Sequence, residues 1–116
     1  MTFPPYRIVL VVDDEAEVRV HATKLLSQQG CFVAVAGNAA AAYRLVERHA
    51  PDVVLLDAEL PDLDFEEFFA RVRFARISAK LFLTSRSPQT GRDGVGLITK
   101  PFRKSALIQA IATCES

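Results

Sequence analysis

The sequence has no excess of charge of either sign. Fourteen lysine and arginine residues balance fourteen aspartate and glutamate residues in a chain of 116, so the formal net charge is zero. A protein without a net field has no general electrostatic attraction to nucleic acid or to an anionic membrane surface. We therefore expect a function that resides in a local site, with no direct nucleic-acid partner.

Long apolar runs and targeting segments are also missing. Residues 1–7 contain no basic segment followed by a long apolar stretch. No apolar run reaches the roughly 20 residues that span a bilayer, so we expect no membrane insertion and, by default, a cytoplasmic location. The chain has no linker, repeat or low-complexity tract, and 50% of its residues are hydrophobic, enough for one core. We expect a single domain over residues 1–116.

Cysteine and glycine are scarce. Cys31 and Cys114 lie far apart within apolar patterns and in no spacing typical of a zinc site, which favours reduced, buried thiols over a disulfide. The first apolar run, residues 7–12, is followed by Asp-Asp-Glu rather than by a glycine-rich loop. The glycines of residues 91–96 precede a predicted strand and not a helix. Both features argue against a nucleotide-binding fold.

One apolar run in the middle of the chain ends on a carboxylate. Residues 53–56, Val-Val-Leu-Leu, follow a turn-forming Pro-Asp pair and lead directly to Asp57. Such a short, uniformly aliphatic run is typical of a strand covered on both faces in a parallel sheet. Ligands of open α/β sheets bind beyond the carboxyl ends of the strands, which makes Asp57 a candidate site residue. An aspartate there could equally do no more than cap the following loop.

Four more apolar runs predict strands, and helical periodicity predicts the elements between them. The strands are expected at residues 7–12, 31–36, 80–84 and 96–99, and the helices at residues 16–29, 39–49 and about 104–114, with another after Asp64. Gly30 is expected to follow the first helix in the left-handed conformation, and Asn38 to cap the second. In the helix after Asp64, an aromatic stripe with helical spacing indicates core packing.

Strands that alternate with helices require parallel pairing through right-handed crossovers. The predicted fold class is therefore α/β, a doubly wound five-stranded parallel sheet with helices on both faces. The strand order 2-1-3-4-5 fits the sequence, because its switch point lies between strands one and three, the two that end on acids.

This order brings polar residues together at one edge of the sheet. Asp13 and Asp14 follow strand one, Asp57 closes strand three, Thr84 closes strand four and Lys100 follows strand five. Two carboxylates 4 Å apart in a partly screened site repel by about 4 kcal/mol, and a single lysine cannot neutralise three acids. Oxygen ligands without nearby His or Cys favour Mg²⁺ as the compensating cation. A magnesium site beside a lysine and a hydroxyl suits a phosphoryl group, with Asp57 as the nucleophile.

These residues resemble the receiver domain of bacterial two-component response regulators, which has a flavodoxin-like fold. The matching features span essentially the whole chain; they are Asp13-Asp14, Asp57 with Leu60-Pro61 beyond it, Thr84, and Lys100-Pro101-Phe102. The resemblance implies a phosphoacceptor regulator rather than an enzyme. Asp57 would take a phosphoryl group from the phosphohistidine of a sensor histidine kinase or histidine phosphotransfer protein. Mg²⁺ would be bound by Asp14, Asp57 and the backbone carbonyl of Glu59, with Asp13 assisting through water.

The resemblance also assigns the phosphoryl contacts. The Thr84 hydroxyl, the Ser85 backbone N–H and Lys100 would hold the phosphoryl oxygens, and the bond from Lys100 to the following proline would be cis. In this family the phosphoryl lifetime depends on the residues two after the phosphoacceptor and two after the hydroxyl, here Glu59 and Arg86. We expect these two side chains to form an ion pair over the site that hinders attacking water.

The segment between strands four and five departs from the family pattern. It is several residues shorter than usual and contains Pro88, so a loop rather than a helix is expected over residues 85–95. Leu97 stands where an aromatic switch residue is common. We expect this loop to be the element that changes with phosphorylation, and a docking patch for a downstream protein partner near Leu97, Ile98 and Leu107. Because the chain ends soon after the last helix, no DNA-binding output domain is expected.

Two other functions are compatible with the residues. A pseudo-receiver would keep this fold as an interaction module without phosphotransfer, although all five site positions are intact. An aspartate-nucleophile phosphatase resembling haloacid-dehalogenase-like hydrolases would use the acids after strand one, but the chain lacks a cap domain and is short for that fold.

Overall fold

The secondary structure alternates between strands and helices for most of the chain. The computed structural model describes residues 7–74, 79–87 and 95–112. The strands in these ranges are β1 (Ile8–Val12), β2 (Phe32–Ala36), β3 (Val53–Asp57), β4 (Lys80–Ser85) and β5 (Val95–Thr99). The helices are α1 (Ala16–Gln28), α2 (Ala39–His49), α3 (Phe65–Phe74) and α4 (Lys104–Ala112). The predicted bounds agree with these within one residue, apart from the end of the last helix, which was expected at about residue 114 and lies outside the described residues.

The five strands form one parallel sheet in the order β2-β1-β3-β4-β5. The predicted doubly wound fold and its strand order are therefore confirmed. β3 lies at the centre, and all five of its residues are buried. Burial on both faces is the reason why its sequence is uniformly aliphatic rather than alternating. Val12 of β1 pairs with Leu56 of β3, so the chain leaves both strands at the same edge of the sheet, just before Asp13 and at Asp57.

Helices cover both faces of the sheet through two apolar clusters. On one face α2 and α3 contribute Val46 and Phe68. On the other face α1 and α4 contribute Leu26 and Leu107. The predicted aromatic stripe of α3 is part of the first cluster, in which Phe68 is fully buried. None of the helices in the described ranges has the length and apolar character needed to cross a membrane.

The ends of α1 and α2 follow the sequence signals. Gly30 has a φ of 81°, in the left-handed region that glycine occupies without strain. The Asn38 side chain accepts a hydrogen bond from the Ala41 N–H at 2.9 Å and caps α2. The Asp62 carboxylate accepts another from the Ala39 N–H at 3.1 Å. The loop that follows Asp57 is thereby joined to the N-terminus of α2, a contact that the sequence did not predict.

Two of the three residues in the predicted docking patch are not available on the surface. Leu97 is 47% exposed, but Ile98 and Leu107 are only 7% and 1% exposed. Both belong to the apolar cluster under α1 and α4, so the patch prediction is wrong for them. The predicted loop between β4 and β5 falls largely on residues 88–94, which lie outside the described residues, as does Cys114.

Candidate functional site

Three carboxylates meet at the edge of the sheet where β1 and β3 end. One oxygen from each of Asp13, Asp14 and Asp57 lies within 4.8 Å of the others. Asp13 and Asp57 are 1% and 5% exposed, whereas Asp14 is exposed. The strand order predicted this meeting, because Asp57 ends the central strand and the other two follow its neighbour. Asp13 and Asp57 form the floor of the site. Asp14 lies at the opening of the site to solvent, which we call the mouth.

Lys100 lies between the two buried carboxylates. Its Nζ donates a hydrogen bond to Asp13 Oδ2 at 2.8 Å and lies 3.4 Å from Asp57 Oδ1. The backbone N–H of Lys100 donates to the Ser85 carbonyl at 2.8 Å, which fixes the start of the side chain at the end of β4. The peptide bond from Lys100 to Pro101 is cis, as the resemblance implied. One ammonium group thus compensates two buried carboxylates.

The burial of these charges changes their protonation equilibria. Desolvation raises the pKa of Asp57, and the negative charge of Asp13 adds to this effect, while the Glu59 N–H and Lys100 oppose it. For Lys100, burial acts to lower the pKa, but the hydrogen bond to Asp13 and the attraction of both carboxylates outweigh it. The net pKa of Lys100 is raised, so the ammonium form persists at neutral pH.

Polar groups of β4 lie beside Asp57. Thr84 is the direct neighbour of Asp57 in the paired strands, and both it and Ser85 are buried. The Glu59 N–H donates to Asp57 Oδ1 at 3.0 Å, while the Glu59 carboxylate accepts from the Ser85 hydroxyl at 2.7 Å. Asp57, Thr84 and Lys100 therefore lie at the same edge of the sheet, as the strand order predicted.

The predicted ion pair between Glu59 and Arg86 is wrong. Arg86 instead binds Glu15 with both arms of its guanidinium group, at 2.6 Å to Oε1 and 3.0 Å to Oε2. The planar guanidinium group of Arg86 thus forms two parallel hydrogen bonds with the Glu15 carboxylate. The Glu59 carboxylate instead accepts the hydrogen bond of the Ser85 hydroxyl. The hydrogen bond to Arg86 lowers the pKa of Glu15, and the same bond raises the pKa of Arg86.

Sequence reasoning missed the residues that hold Asp13 in place. The Glu15 N–H donates to Asp13 Oδ1 at 2.9 Å, and the Arg19 guanidinium donates to the Asp13 carbonyl at 2.8 Å. Arg19 also lies against Gly37, where a Cβ atom would approach its Nη1 to 3.1 Å. The only available signal was the position of Glu15 directly after the acidic pair, because helical spacing alone gives no sign that Arg19 turns back towards the loop.

The carboxylate cluster fits a small, hard cation. Ligands of Mg²⁺ lie about 2.0–2.1 Å from the ion, so opposite ligands are about 4.2 Å apart. Oxygens within 4.8 Å of one another can thus share one ion after small side-chain movements. The donors are all oxygens, and the exposure of Asp14 leaves room for water or a phosphoryl oxygen on the solvent side. This donor set suits Mg²⁺ better than zinc or copper.

A cavity of about 290 Å³ opens beside the site, between α1 and the segment after β5. Its lining residues come from both elements and from the end of β4; they are Glu17, Val18, His21, Arg86, Lys100, Pro101 and Phe102. The His21 Nε2 lies 3.3 Å from the Phe102 carbonyl oxygen and joins the two walls. The cavity gives an approach to Lys100 from the α1 side.

Comparison with known proteins agrees with this geometry. The profile of the response regulator receiver domain matches residues 9–112. The transcriptional regulatory protein PdtaR of Mycobacterium tuberculosis is 33% identical over 112 residues, which cover 90% of this chain and 55% of PdtaR. The regulatory protein VanRc of Enterococcus gallinarum is 28% identical over 111 residues, 90% of this chain and 48% of VanRc. The chain spans about half the length of these curated relatives.

Solved structures share the fold. The signal receiver domain of NarL from Mycobacterium tuberculosis superposes with a TM-score of 0.80 at 28% identity, over 96% of this chain and 97% of that one. The chemotaxis protein CheY4 of Vibrio cholerae gives a TM-score of 0.82 at 20% identity, over 94% of this chain and 98% of CheY4, which shows the fold alone. The sequence match over almost the whole chain shows that it belongs to the family of response regulator receiver domains of two-component systems.

Proposed function

We propose that Asp57 accepts a phosphoryl group from the phosphohistidine of a sensor histidine kinase or a histidine phosphotransfer protein. The observation that carries this proposal is the meeting of Asp57 with Asp13 and Asp14 within 4.8 Å, with Lys100 against the two buried acids. Such a cluster is short of positive charge, and it is therefore suited to a group that arrives with a divalent cation. The phosphorylated state would then pass to a downstream protein partner, without direct nucleic-acid contact.

In the transfer step, a carboxylate oxygen of Asp57 attacks the phosphorus atom. The bond between phosphorus and the donor imidazole nitrogen breaks, that nitrogen keeps the electron pair, and an acyl phosphate forms on Asp57. The Thr84 hydroxyl, the Ser85 backbone N–H and the Lys100 ammonium would contact the phosphoryl oxygens. Lys100 is already held between Asp13 and Asp57, so little reorganisation is needed when the new charge arrives.

Asp13, Asp14, Asp57 and the backbone carbonyl of Glu59 would hold Mg²⁺. The ion would offset the charge that accumulates when a phosphoryl group approaches the carboxylates. Asp13 is fixed by Lys100 and by the Glu15 N–H, so it would act from a rigid position. We further propose that residues 1–116 act as one domain, which promotes its own phosphorylation and dephosphorylation and has no other substrate.

The test is incubation with acetyl phosphate or phosphoramidate and Mg²⁺, followed by intact-mass measurement. The wild-type protein should gain one phosphoryl group and should not gain it in EDTA. Asp57→Asn should stay unmodified, and Asp64→Asn, which changes an exposed helix-capping residue outside the site, should label like the wild type. An adduct on Asp57→Asn would contradict the proposal. If the wild-type protein takes no phosphoryl group from either donor, the domain is an interaction module without phosphotransfer.

A further inference from the structure

We propose that the Glu15–Arg86 ion pair is a positioning contact that couples cation binding at Asp13 and Asp14 to the conformation of the end of β4. This role rests on the proposed phosphoacceptor function, because it assigns a means of regulation to the same site. Neither residue belongs to the carboxylate cluster or to the predicted phosphoryl contacts.

The pair joins two segments that are far apart in sequence. Arg86 directly follows β4, and Glu15 directly follows Asp14. The contact has both arms of the guanidinium group on both carboxylate oxygens, a geometry that fixes orientation as well as distance. The backbone N–H of Glu15 in turn donates to Asp13 Oδ1. A movement of Arg86 is therefore transmitted to the loop of Asp13 and Asp14 by the Glu15 side chain and by the hydrogen bond of the Glu15 N–H.

The end of β4 is held from the opposite side as well. The Ser85 hydroxyl donates to the Glu59 carboxylate. The hydroxyl oxygen of Ser85 also accepts a hydrogen bond from the Ser87 N–H at 3.0 Å. The Ser85 carbonyl accepts the N–H of Lys100. Adjacent residues of one strand end are thus bound to carboxylates from two different loops. If the contact on the Glu15 side is released, the contacts of Ser85 remain, among the described residues, to restrain this segment at the mouth.

Electrostatics gives the sign of the coupling. A divalent cation bound beside Asp14 would attract the neighbouring Glu15 carboxylate and repel the Arg86 guanidinium, so it would weaken their pair. By linkage, loss of the pair must strengthen cation binding by the same factor. The side chains of Glu15 and Arg86 are 46% and 56% exposed. Exposed ion pairs are weak, so we expect a change in Mg²⁺ affinity of about two- to fivefold. The cation would therefore loosen the end of β4 before any phosphoryl group arrives.

The first experiment measures Mg²⁺ affinity by calorimetry in a double-mutant cycle. Arg86→Ala should bind Mg²⁺ about two- to fivefold more tightly than the wild type. In the Glu15→Gln background the same substitution should have a clearly smaller effect, because the pair is already lost and only the direct repulsion between the guanidinium and the cation is removed. If Arg86→Ala strengthens binding equally in both backgrounds, removal of a positive charge explains the change, and the positioning role is overturned. Arg71→Ala, which breaks a similarly exposed pair with Glu67 on α3, is the matched control and should leave the affinity unchanged.

The second experiment follows the backbone N–H of Ser87 by NMR hydrogen exchange. In the wild-type protein, Mg²⁺ should speed its exchange. In Arg86→Lys, which keeps the charge but lacks the planar fork, exchange should be fast already and insensitive to Mg²⁺. Exchange that is equal with and without Mg²⁺ in the wild type would overturn the coupling. Failure of the proposed function is distinguished separately, because it appears as a wild-type protein that binds Mg²⁺ but takes no phosphoryl group at Asp57.

Discussion

Lys100 and Asp13 form an ion pair at the floor of the site, with 2.8 Å between Nζ and Oδ2 and with both side chains almost fully buried. A pair of this kind pays a large desolvation cost, and it is tolerated when its geometry is good and further hydrogen bonds satisfy its atoms. Here the second oxygen of Asp13 accepts the Glu15 N–H, and Lys100 also lies near Asp57. The protein therefore keeps an ammonium group beside Asp57 although its burial is unfavourable.

Replacement of this lysine should expose the cost of the uncompensated acids. We expect Lys100→Met to lower the free energy of unfolding by about 3 kcal/mol in EDTA, because Asp13 loses its buried partner. Mg²⁺ should restore more stability to this variant than to the wild type, since the cation supplies the missing positive charge. Urea unfolding with and without Mg²⁺ measures both effects. Lys80→Met, at an exposed lysine, is the control and should behave like the wild type. Equal Mg²⁺ stabilisation of the wild type and Lys100→Met would contradict the prediction.

The two acids after β1 should respond differently to substitution. Asp14 is exposed, so Asp14→Asn should leave stability in EDTA within about 0.5 kcal/mol of the wild type. It should nevertheless weaken Mg²⁺ binding by about tenfold or more, the loss caused even by residues that support a metal indirectly. Asp13→Asn should lower both stability and Mg²⁺ affinity, because Asp13 also binds Lys100. Calorimetric titration and urea unfolding separate the two outcomes; an Asp14→Asn protein with unchanged affinity would remove this residue from the site.

Asp57 itself should reduce stability when no cation is present. Burial and the charge of Asp13 raise the pKa of Asp57 above its value in the unfolded chain. The folded state therefore disfavours the ionised form, which is the form present above the ordinary pKa of an aspartate. Asp57→Asn should accordingly be more stable than the wild type at pH 7 in EDTA, and Mg²⁺ should reduce the difference. Thermal unfolding is a sufficient measurement, and a less stable Asp57→Asn protein would show that Lys100 overcompensates the repulsion.

The backbone of the site was predictable, because strands, caps and strand order depend on local patterns. The aliphatic run before Asp57 predicts a central strand, and the acids after β1 locate the switch point of the sheet. The partner of Arg86 was not predictable in this way. Glu15 and Glu59 both stand near the predicted mouth, and the choice between them depends on loop geometry and on the Ser85 hydroxyl that engages Glu59.

The prediction of exposed residues near the edge of the sheet was wrong because side chains alternate between the two faces of a strand. The sequence showed a short connection between β4 and β5, from which we expected uncovered apolar residues on β5 and α4. Leu97 points to the face that carries α2 and α3, but Ile98 points to the opposite face, where α4 covers it. A loss of cover on one face therefore exposes only alternate residues of the strand.

Gly96 should be required for the close pairing of β4 and β5. It lies opposite Phe82 in the sheet, and a Cβ atom at this position would overlap the Phe82 ring. Gly96→Ala should lower the free energy of unfolding by about 1–3 kcal/mol, as overpacking does. Because β5 leads to Lys100, whose N–H binds the Ser85 carbonyl, the substitution should also weaken Mg²⁺-dependent phosphorylation.

The contribution of the Phe82 ring to the cost of Gly96→Ala can be isolated by replacing the ring with a smaller side chain. Phe82→Leu should cost stability alone through lost apolar contact, but in that background Gly96→Ala should cost clearly less than in the wild type, since the flat ring that meets the new methyl group is gone. Gly30→Ala is the contrasting control: nothing lies within 4 Å of its Cβ position, and its cost should come from the φ of 81° and be unaffected by Phe82→Leu. Additive effects of Gly96→Ala and Phe82→Leu in urea unfolding would mean that the ring does not determine the need for glycine at position 96.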